Sequence, residues 1–405
     1  MAPDCDSAPA RPEARMQSRT FLALYALAVA GGSTAYSPFL TLLLPLHVSE
    51  EWGDKGVVVL SSTAFAGAIA ASIANILFGW LSDRTGNRRG WMLAGVIASS
   101  LLLPAMMSAQ SVAGLVTLIV LWQFALNMFL GPLSAWAGDC VPDEQKGTLG
   151  GLLSVAPGLG ALSGAIITLP GLLDSESRLL VNVGLVCAMA LPAILLARPR
   201  PMPHLMVAAD REPGEVVEAV SSPLPVWRMW LARLLVQVAE ASLFAFLLLW
   251  LRSIDSRVSE NLSATIFTTV LFGAVPLAIA AGRWSDRVGR PILPLAVAAT
   301  GGAIGLLTMA VASSTAIAVA GYMLFGLTSA VFLALHSSQT LRVLPRPQTR
   351  GRDLGVFNLT NTVPSLIMPG LALALIPPFG FKPMFGLLAV LLALAVVLLR
   401  PRRKS

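Results

Sequence analysis

The chain has 405 residues, with Lys+Arg 28 against Asp+Glu 21 and a formal charge of +7, yet hydrophobic residues make up 56% of it, charged residues only 12%, and its mean hydropathy is +0.76. That balance excludes an ordinary soluble domain and points to a chain embedded in lipid. The basic excess does not imply nucleic acid, because the arginines sit at the ends of apolar runs instead of clustering on one face.

Residues 1–19 are polar and rich in Pro, Ala and Arg, and read as a cytoplasmic tail; the apolar run that follows is too long for a cleaved signal peptide. Twelve apolar stretches come next, each long enough at about 1.5 Å per residue to cross ~30 Å of hydrocarbon. Six lie in a first half, 20–197, near 20–47, 57–81, 91–109, 112–138, 148–173 and 179–197. Six lie in a second half, 228–399, near 228–250, 265–284, 292–312, 315–341, 354–375 and 384–399. Between them, 198–227 carries Pro199, Pro201, Pro203, Pro213, Pro223 and Pro225 with Glu212, Glu215 and Glu218, a composition that packs no core and reads as a cytoplasmic linker. Residues 400–405 form a second tail.

A charged, glycine-punctuated segment joins the second and third stretches of each half. The first copy is Gly79-Trp80-Leu81-Ser82-Asp83-Arg84-Thr85-Gly86-Asn87-Arg88-Arg89, and the second is Gly282-Arg283-Trp284-Ser285-Asp286-Arg287-Val288-Gly289-Arg290. Asp286 answers to Asp83 and Gly289 to Gly86, each pair 203 residues apart, about half the chain, so the two halves are a duplication. A second repeated string agrees: Pro142, Gln145, Gly147 and Gly151 answer to Pro345, Gln348, Gly351 and Gly355. Glycine permits a tight reversal between helices, and arginine holds it on the cytoplasmic side. Lys and Arg concentrate in the termini and the even-numbered connections, which places both termini in the cytoplasm.

This segment resembles the signature turn of the major facilitator superfamily, G-x-x-x-D-R-x-G-R-R, matched by Gly79, Asp83, Arg84, Gly86 and Arg88 and again by Gly282, Asp286, Arg287, Gly289 and Arg290. Asn87 stands where the family has a basic residue. The resemblance implies an all-α membrane protein with twelve transmembrane helices in two pseudo-symmetric six-helix bundles, which rock about a substrate held between them near the bilayer midplane. It also implies that these residues form a conformational latch. Asp83 would accept hydrogen bonds from amides at a neighbouring helix N-terminus, and Arg84 and Arg88 would pair with acids across the seam between the halves. The plainer alternative is that the turns only enforce topology.

A charge at mid-membrane costs on the order of 2.5–3.5 kcal/mol, so ionisable groups there are functional candidates. Glu240 is the one acid well inside a predicted span, roughly 18 Å from its start. Arg233 and Gln237 share its helix face by their spacing of four and three. Glu240 is therefore the proton-coupling candidate, its ionisation responding to Arg233 or to a cationic substrate; the alternative is a permanent Arg233–Glu240 ion pair or a partner on another helix.

Further polar stripes suggest a substrate cavity: Ser33, Ser37 and Thr41; Gln123 and Asn127; and Asn358, Asn361 and Ser365, each recurring at intervals of three or four. Hydrogen bonding between helices is the competing explanation for all of them. His336, late in the tenth span, is a candidate relay or gate. Gly158, Gly160 and Gly164 read as small-residue packing. The stretch from Arg350 to Thr362 resembles the corresponding connection of bacterial superfamily members related to glycoside and sucrose transporters, which implies a sugar-like solute.

Cys5, Cys140 and Cys187 show neither disulfide nor metal-ligand spacing. No nucleophile with a base, metal cluster or phosphate loop is present, so the sequence predicts neither enzyme, cofactor nor metal. The expectation is a proton-coupled secondary transporter of a small solute. It would be a monomer in the lipid bilayer of a bacterial inner membrane, with no nucleic-acid partner. Proton antiport of drugs or metabolites is the rival, and a non-transporting receptor on the same fold is more distant.

Overall fold

The computed structural model describes residues 16–169, 171, 173–202, 205, 224–258, 260–344 and 347–400. The expected tail before residue 16, most of the linker and residues 401–405 lie outside them. Among the described residues the chain forms twelve long helical segments. In the first half these are α1 (Arg19–Trp52), α2 (Gly56–Thr85), α3 (Arg88–Ala105), α4 (Val112–Cys140), α5 (Asp143–Ile167) and α6 (Ser175–Leu191). The second half contributes α7 (Val226–Ile254), α8 (Glu260–Val288), α9 (Leu293–Ala310), α10 (Thr315–Val343), α11 (Arg350–Phe379) and α12 (Phe381–Leu398). Ten of them are long and apolar enough to cross a membrane by length and composition alone. The two that complete the twelve, α7 and α11, carry the stripes of Arg233, Gln237 and Glu240 and of Asn358, Asn361 and Ser365.

Local chemistry sets several boundaries. The Ser18 hydroxyl accepts the Phe21 amide at 3.1 Å and Ser111 accepts that of Gly114 at 3.1 Å, each satisfying an orphan donor at a helix start. Pro38 removes one amide from α1, and the helix answers with a wider π-turn over Phe39–Leu43 before continuing to Trp52.

The segments expected to be turns are helical for most of their length. The Gly86 amide closes α2 on the Ser82 carbonyl at 3.1 Å, and only Gly86 and Asn87 reverse the chain before α3 begins at Arg88. Gly86 and Gly289 have φ of +65° and +63°, the left-handed geometry that favours glycine after a helix. Gly79 and Gly282 lie inside α2 and α8, so close helix approach, not chain reversal, requires them. Asn87, the departure from the signature, accepts the Gly90 amide at 2.9 Å and caps α3.

Each half builds its own core. Trp122, Phe39, Phe129 and Met92 centre one, with Phe39 edge-on to Trp122 at 5.1 Å; Trp250, Phe385, Phe325 and Phe332 centre the other, with Trp250 edge-on to Phe385 at 4.7 Å. Large apolar side chains such as Leu101, Ile97 and Val311 face outward, as lipid permits and water would not. Between the halves α2 packs along α11 and α5 along α8, while α4 meets α11 and α10 meets α5. The duplication maps each of these contacts onto another in the set.

Candidate functional site

The two repeated strings dock on each other. A Cβ on Gly79 would stand 2.2 Å from the Gly351 carbonyl oxygen, and one on Gly282 would stand 2.1 Å from that of Gly147. Farther along, Gly355 lies against the backbone of Ile76 and Gly151 against that of Ile279. The glycines of one half thus let backbone meet backbone in the other, and each signature segment seats on the glycine string of the opposite half.

That approach brings a carboxylate to the start of each opposing helix. Asp83 accepts the amides of Gly351 and Arg352 through separate oxygens, both at 2.9 Å. Asp286 accepts Gly147 at 2.9 Å, Thr148 at 2.7 Å and the Thr148 hydroxyl at 2.8 Å. The donors to Asp83 are orphan amides of the α11 N-terminus, where the helix dipole favours negative charge, whereas those to Asp286 are the fifth and sixth residues of α5, just past its first turn.

Cations complete both contacts. Arg88 pairs with Asp83 at 2.6 Å and with Asp139 at 3.0 Å, and Arg350 crosses from the second half to the other Asp139 oxygen at 2.7 Å. On the opposite side Arg342 reaches Asp286 at 3.4 Å and also donates to the Asp143 carbonyl, while Lys146 pairs with Asp143 at 2.5 Å. Each cluster therefore balances two acids with two bases. Arg88 pairs inside its own half, and the cation that crosses the first seam is Arg350. Arg84 lies exposed over the Trp80 ring, 5.6 Å from its centre, and Arg287 and Arg290 are exposed. Asp139, Arg342, Asp143 and Lys146 escaped the sequence reading, in which Arg350 figured only as the start of the stretch to Thr362, although all stand at span ends where a cross-seam charge is affordable in water-accessible surroundings.

Deeper between the halves lies the polar stripe of α7. Arg233 donates from Nε to the Thr360 hydroxyl at 3.0 Å, from one terminal nitrogen to the Ser337 hydroxyl at 3.1 Å and the Leu333 carbonyl at 3.4 Å, and from the other to Asn361 Oδ1 at 3.3 Å. Gln237 donates to the same Asn361 oxygen at 2.5 Å, and Asn361 donates to Asn358 Oδ1 at 2.8 Å. Among the described residues no ion pair joins Arg233 to Glu240. The Glu240 carboxyl is half-buried and makes no described hydrogen bond.

The face of α11 that carries Asn358 and Asn361 looks across to the first half. Thr362, one turn beyond Asn358, holds its hydroxyl 2.9 Å from that of Ser72 on α2. Asn361 is nevertheless exposed, so the halves part next to this contact. At about 1.5 Å per residue, Asn361 lies ~15 Å along α11 from the Gly351 seat. The side chain of Ser365 lies outside the described residues.

The first half contributes less to this region. Asn127 accepts from Asn75 on α2 at 2.8 Å and donates back to the Gln123 carbonyl at 2.9 Å, with all three side chains buried in the α2 and α4 seam. Ser33 is buried against Gly160 of α5, while Ser37 is half-buried, its carbonyl accepting the Thr41 hydroxyl at 2.7 Å. His336 is fully buried, with one ring nitrogen 3.0 Å from the Met229 carbonyl and the other 3.1 Å from the Thr340 hydroxyl. Among the described residues no group of His, Cys, Asp and Glu is arranged to hold a metal ion.

Two matches to the Major Facilitator Superfamily model, over residues 22–255 and 229–405, cover both halves. The chain belongs to the Major Facilitator Superfamily. It is 25% identical over 339 residues to the uncharacterized MFS-type transporter Rv2994 of Mycobacterium tuberculosis, covering 80% of this chain and 72% of that one. It is 26% identical over 265 residues to the multidrug resistance protein MdtG of Citrobacter koseri, covering 61% of this chain and 62% of the relative. Its fold matches a bacterial homologue of the iron transporter ferroportin in an outward-facing state with a TM-score of 0.71 at 17% identity, covering 94% of this chain and 98% of the other. As a superfamily member, the chain is a multi-pass membrane protein of the transporter class.

Proposed function

We propose that the protein is a secondary active transporter of a small solute, coupled to protons through Glu240, in which the halves 20–197 and 228–399 rock about a site between α7 and α11. The observation that carries this reading is the contrast between two levels of one interface. At the signature end the halves are interlocked by glycine contacts and balanced charges. About three helical turns deeper, Gln237, Asn361 and Glu240 keep polar atoms free of described partners. A gate closed at one end above an uncommitted polar site is what alternating access requires. The signature end is the cytoplasmic one in this reading, so the conformation described is outward-facing, with both termini in the cytoplasm and the membrane a bacterial inner membrane. The working unit is the monomer, because both seams of this gate are complete within one chain.

Within the stretch from Arg350 to Thr362, Arg350, Gly351 and Arg352 are committed to the gate. Its likeness to sugar carriers therefore bears on substrate only through Asn358 and Asn361. Export of drugs or metabolites by proton antiport is the second reading, favoured by the similarity to MdtG.

The test is uptake into proteoliposomes under an imposed pH gradient, run in both directions. The wild type moves solute against its gradient when protons flow, and Glu240→Gln retains exchange down the solute gradient but loses the proton-driven component. Proton-driven accumulation that persists in Glu240→Gln removes that residue from coupling. A protein that moves no solute in either direction, across a broad panel, removes the transporter reading.

A further inference from the structure

Arg233 is the charged group of the α7 stripe whose company is electrically incomplete. Its hydrogen-bond partners are two hydroxyls, a backbone carbonyl and a side-chain amide, all neutral. They come from α10 and α11 and fix the plane of the guanidinium without cancelling its charge. Of the five N–H groups that a guanidinium offers, four are accounted for by these bonds, and the remaining one belongs to the nitrogen that reaches exposed Asn361. The nearest acid on its own helix, Glu240, lies seven residues on, a rise of about 10 Å, and forms no ion pair with it. From α10 the ionisable neighbour is His336, whose two nitrogens are engaged. Among the described residues the α11 face contributes Asn358, Thr360 and Asn361.

We infer that Arg233 is the binding group for an anionic moiety of the transported solute, and that the solute is a small carboxylate-bearing molecule. A cation oriented by neutral acceptors within the membrane-spanning region is an attractive partner for a carboxylate, because low dielectric strengthens the pair and the guanidinium needs no reorientation to form it. One guanidinium with one open N–H suits a single carboxylate better than a dianionic phosphate, which would leave one of its two charges unmatched. Gln237, four residues beyond Arg233 on α7, and Asn358, three before Asn361 on α11, are then placed to meet hydroxyl or amide groups on the rest of the molecule. This inference deepens the proposed transporter function and rests on it for the use made of the site.

Pairs of probes that differ only in charge supply the test. The full-length protein in chloride-free detergent buffer is unfolded thermally with D-gluconate against D-gluconamide and with benzoate against benzamide. At least one acid is expected to raise the unfolding midpoint where its amide does not. Arg233→Gln should weaken the apparent affinity for that acid at least about tenfold, with Arg233→Lys intermediate. The comparison of acid with amide in the wild type stands even if Arg233→Gln fails to fold. If no acid stabilises more than its amide, or the stabilisation survives Arg233→Gln, the anion site is overturned. Neutral solutes carried equally by wild type and Arg233→Gln would also overturn it while leaving the transporter reading intact. Acid-specific stabilisation with no uptake in either direction would retain the anion site and sink the transporter reading instead.

Discussion

Gly79 has its nearest neighbour in the opposite half, and that neighbour is a backbone carbonyl that cannot rotate away. Gly79→Val therefore forces α2 and α11 apart instead of displacing a flexible side chain. The expected result is greater labelling of a cysteine placed at the signature end, with little change in the amount of folded protein; unchanged labelling would mean that the seam is already loose. The buried amides behave differently. Asn127→Ala leaves the Asn75 donor unpaired in the α2 and α4 seam and should cost about 1–3 kcal/mol of stability, read as a lower unfolding midpoint. Asn361→Ala removes an exposed side chain from the site facing the other half and should weaken apparent substrate affinity while leaving the midpoint near that of the wild type. If the two variants exchange these effects, the assignment of Asn127 to packing and Asn361 to the solute is wrong.

Helix existence was legible because length and apolarity are properties of the sequence itself: a run that must span ~30 Å of hydrocarbon without water has one way to satisfy its backbone. The duplication was legible from the two repeated strings around Asp83 and Asp286 and around Gly147 and Gly351. Which neighbour a polar stripe meets was not. The spacing of Gln123 and Asn127 shows that they share a face of α4, but the residue opposite them, Asn75, is a single amide in an apolar helix with no periodic signal of its own. The glycine strings at Gly147 and Gly351 were visible as repeats, yet their role as seats for Asp286 and Asp83 depends on a crossing that no local pattern encodes. That crossing also explains why the charged segments are helical: an aspartate on the last turn of α2 is aimed by the helix, whereas one in a loop would not be held. Asp83→Asn keeps an acceptor oxygen but removes the charge facing the α11 N-terminus, a loss of up to ~2 kcal/mol for a partly buried geometry. Fluorophores on the signature ends of α2 and α11 should report a shift toward larger separation, and identical distance distributions would reduce the contact to a topology signal.

Both seams of the signature-end gate join the halves along helix pairs related by the duplication, so opening that end requires α2 to part from α11 and α5 from α8 together. The chain does not make the two seams identical. One has two carboxylates facing two arginines, whereas the other has Lys146 where the first has Arg350, and it draws its acids from Asp286 and Asp143. In the α2 and α11 seam, Ser72 and Thr362 extend the contact past the glycines toward the polar site. Those hydroxyls stand 2.9 Å apart, close enough for sulfur atoms in the same positions to bond. In a background without the native cysteines, Ser72→Cys combined with Thr362→Cys should cross-link under mild oxidation, stop solute movement in proteoliposomes, and recover on reduction, while either single variant remains active throughout. The proposed rocking motion demands that this one bond be sufficient, since a rigid half clamped to its partner beside the site could not present the site to the other face. Transport that continues with the cross-link complete would mean that the halves do not separate along this seam, and the solute would have to pass by a route that leaves α2 and α11 in contact.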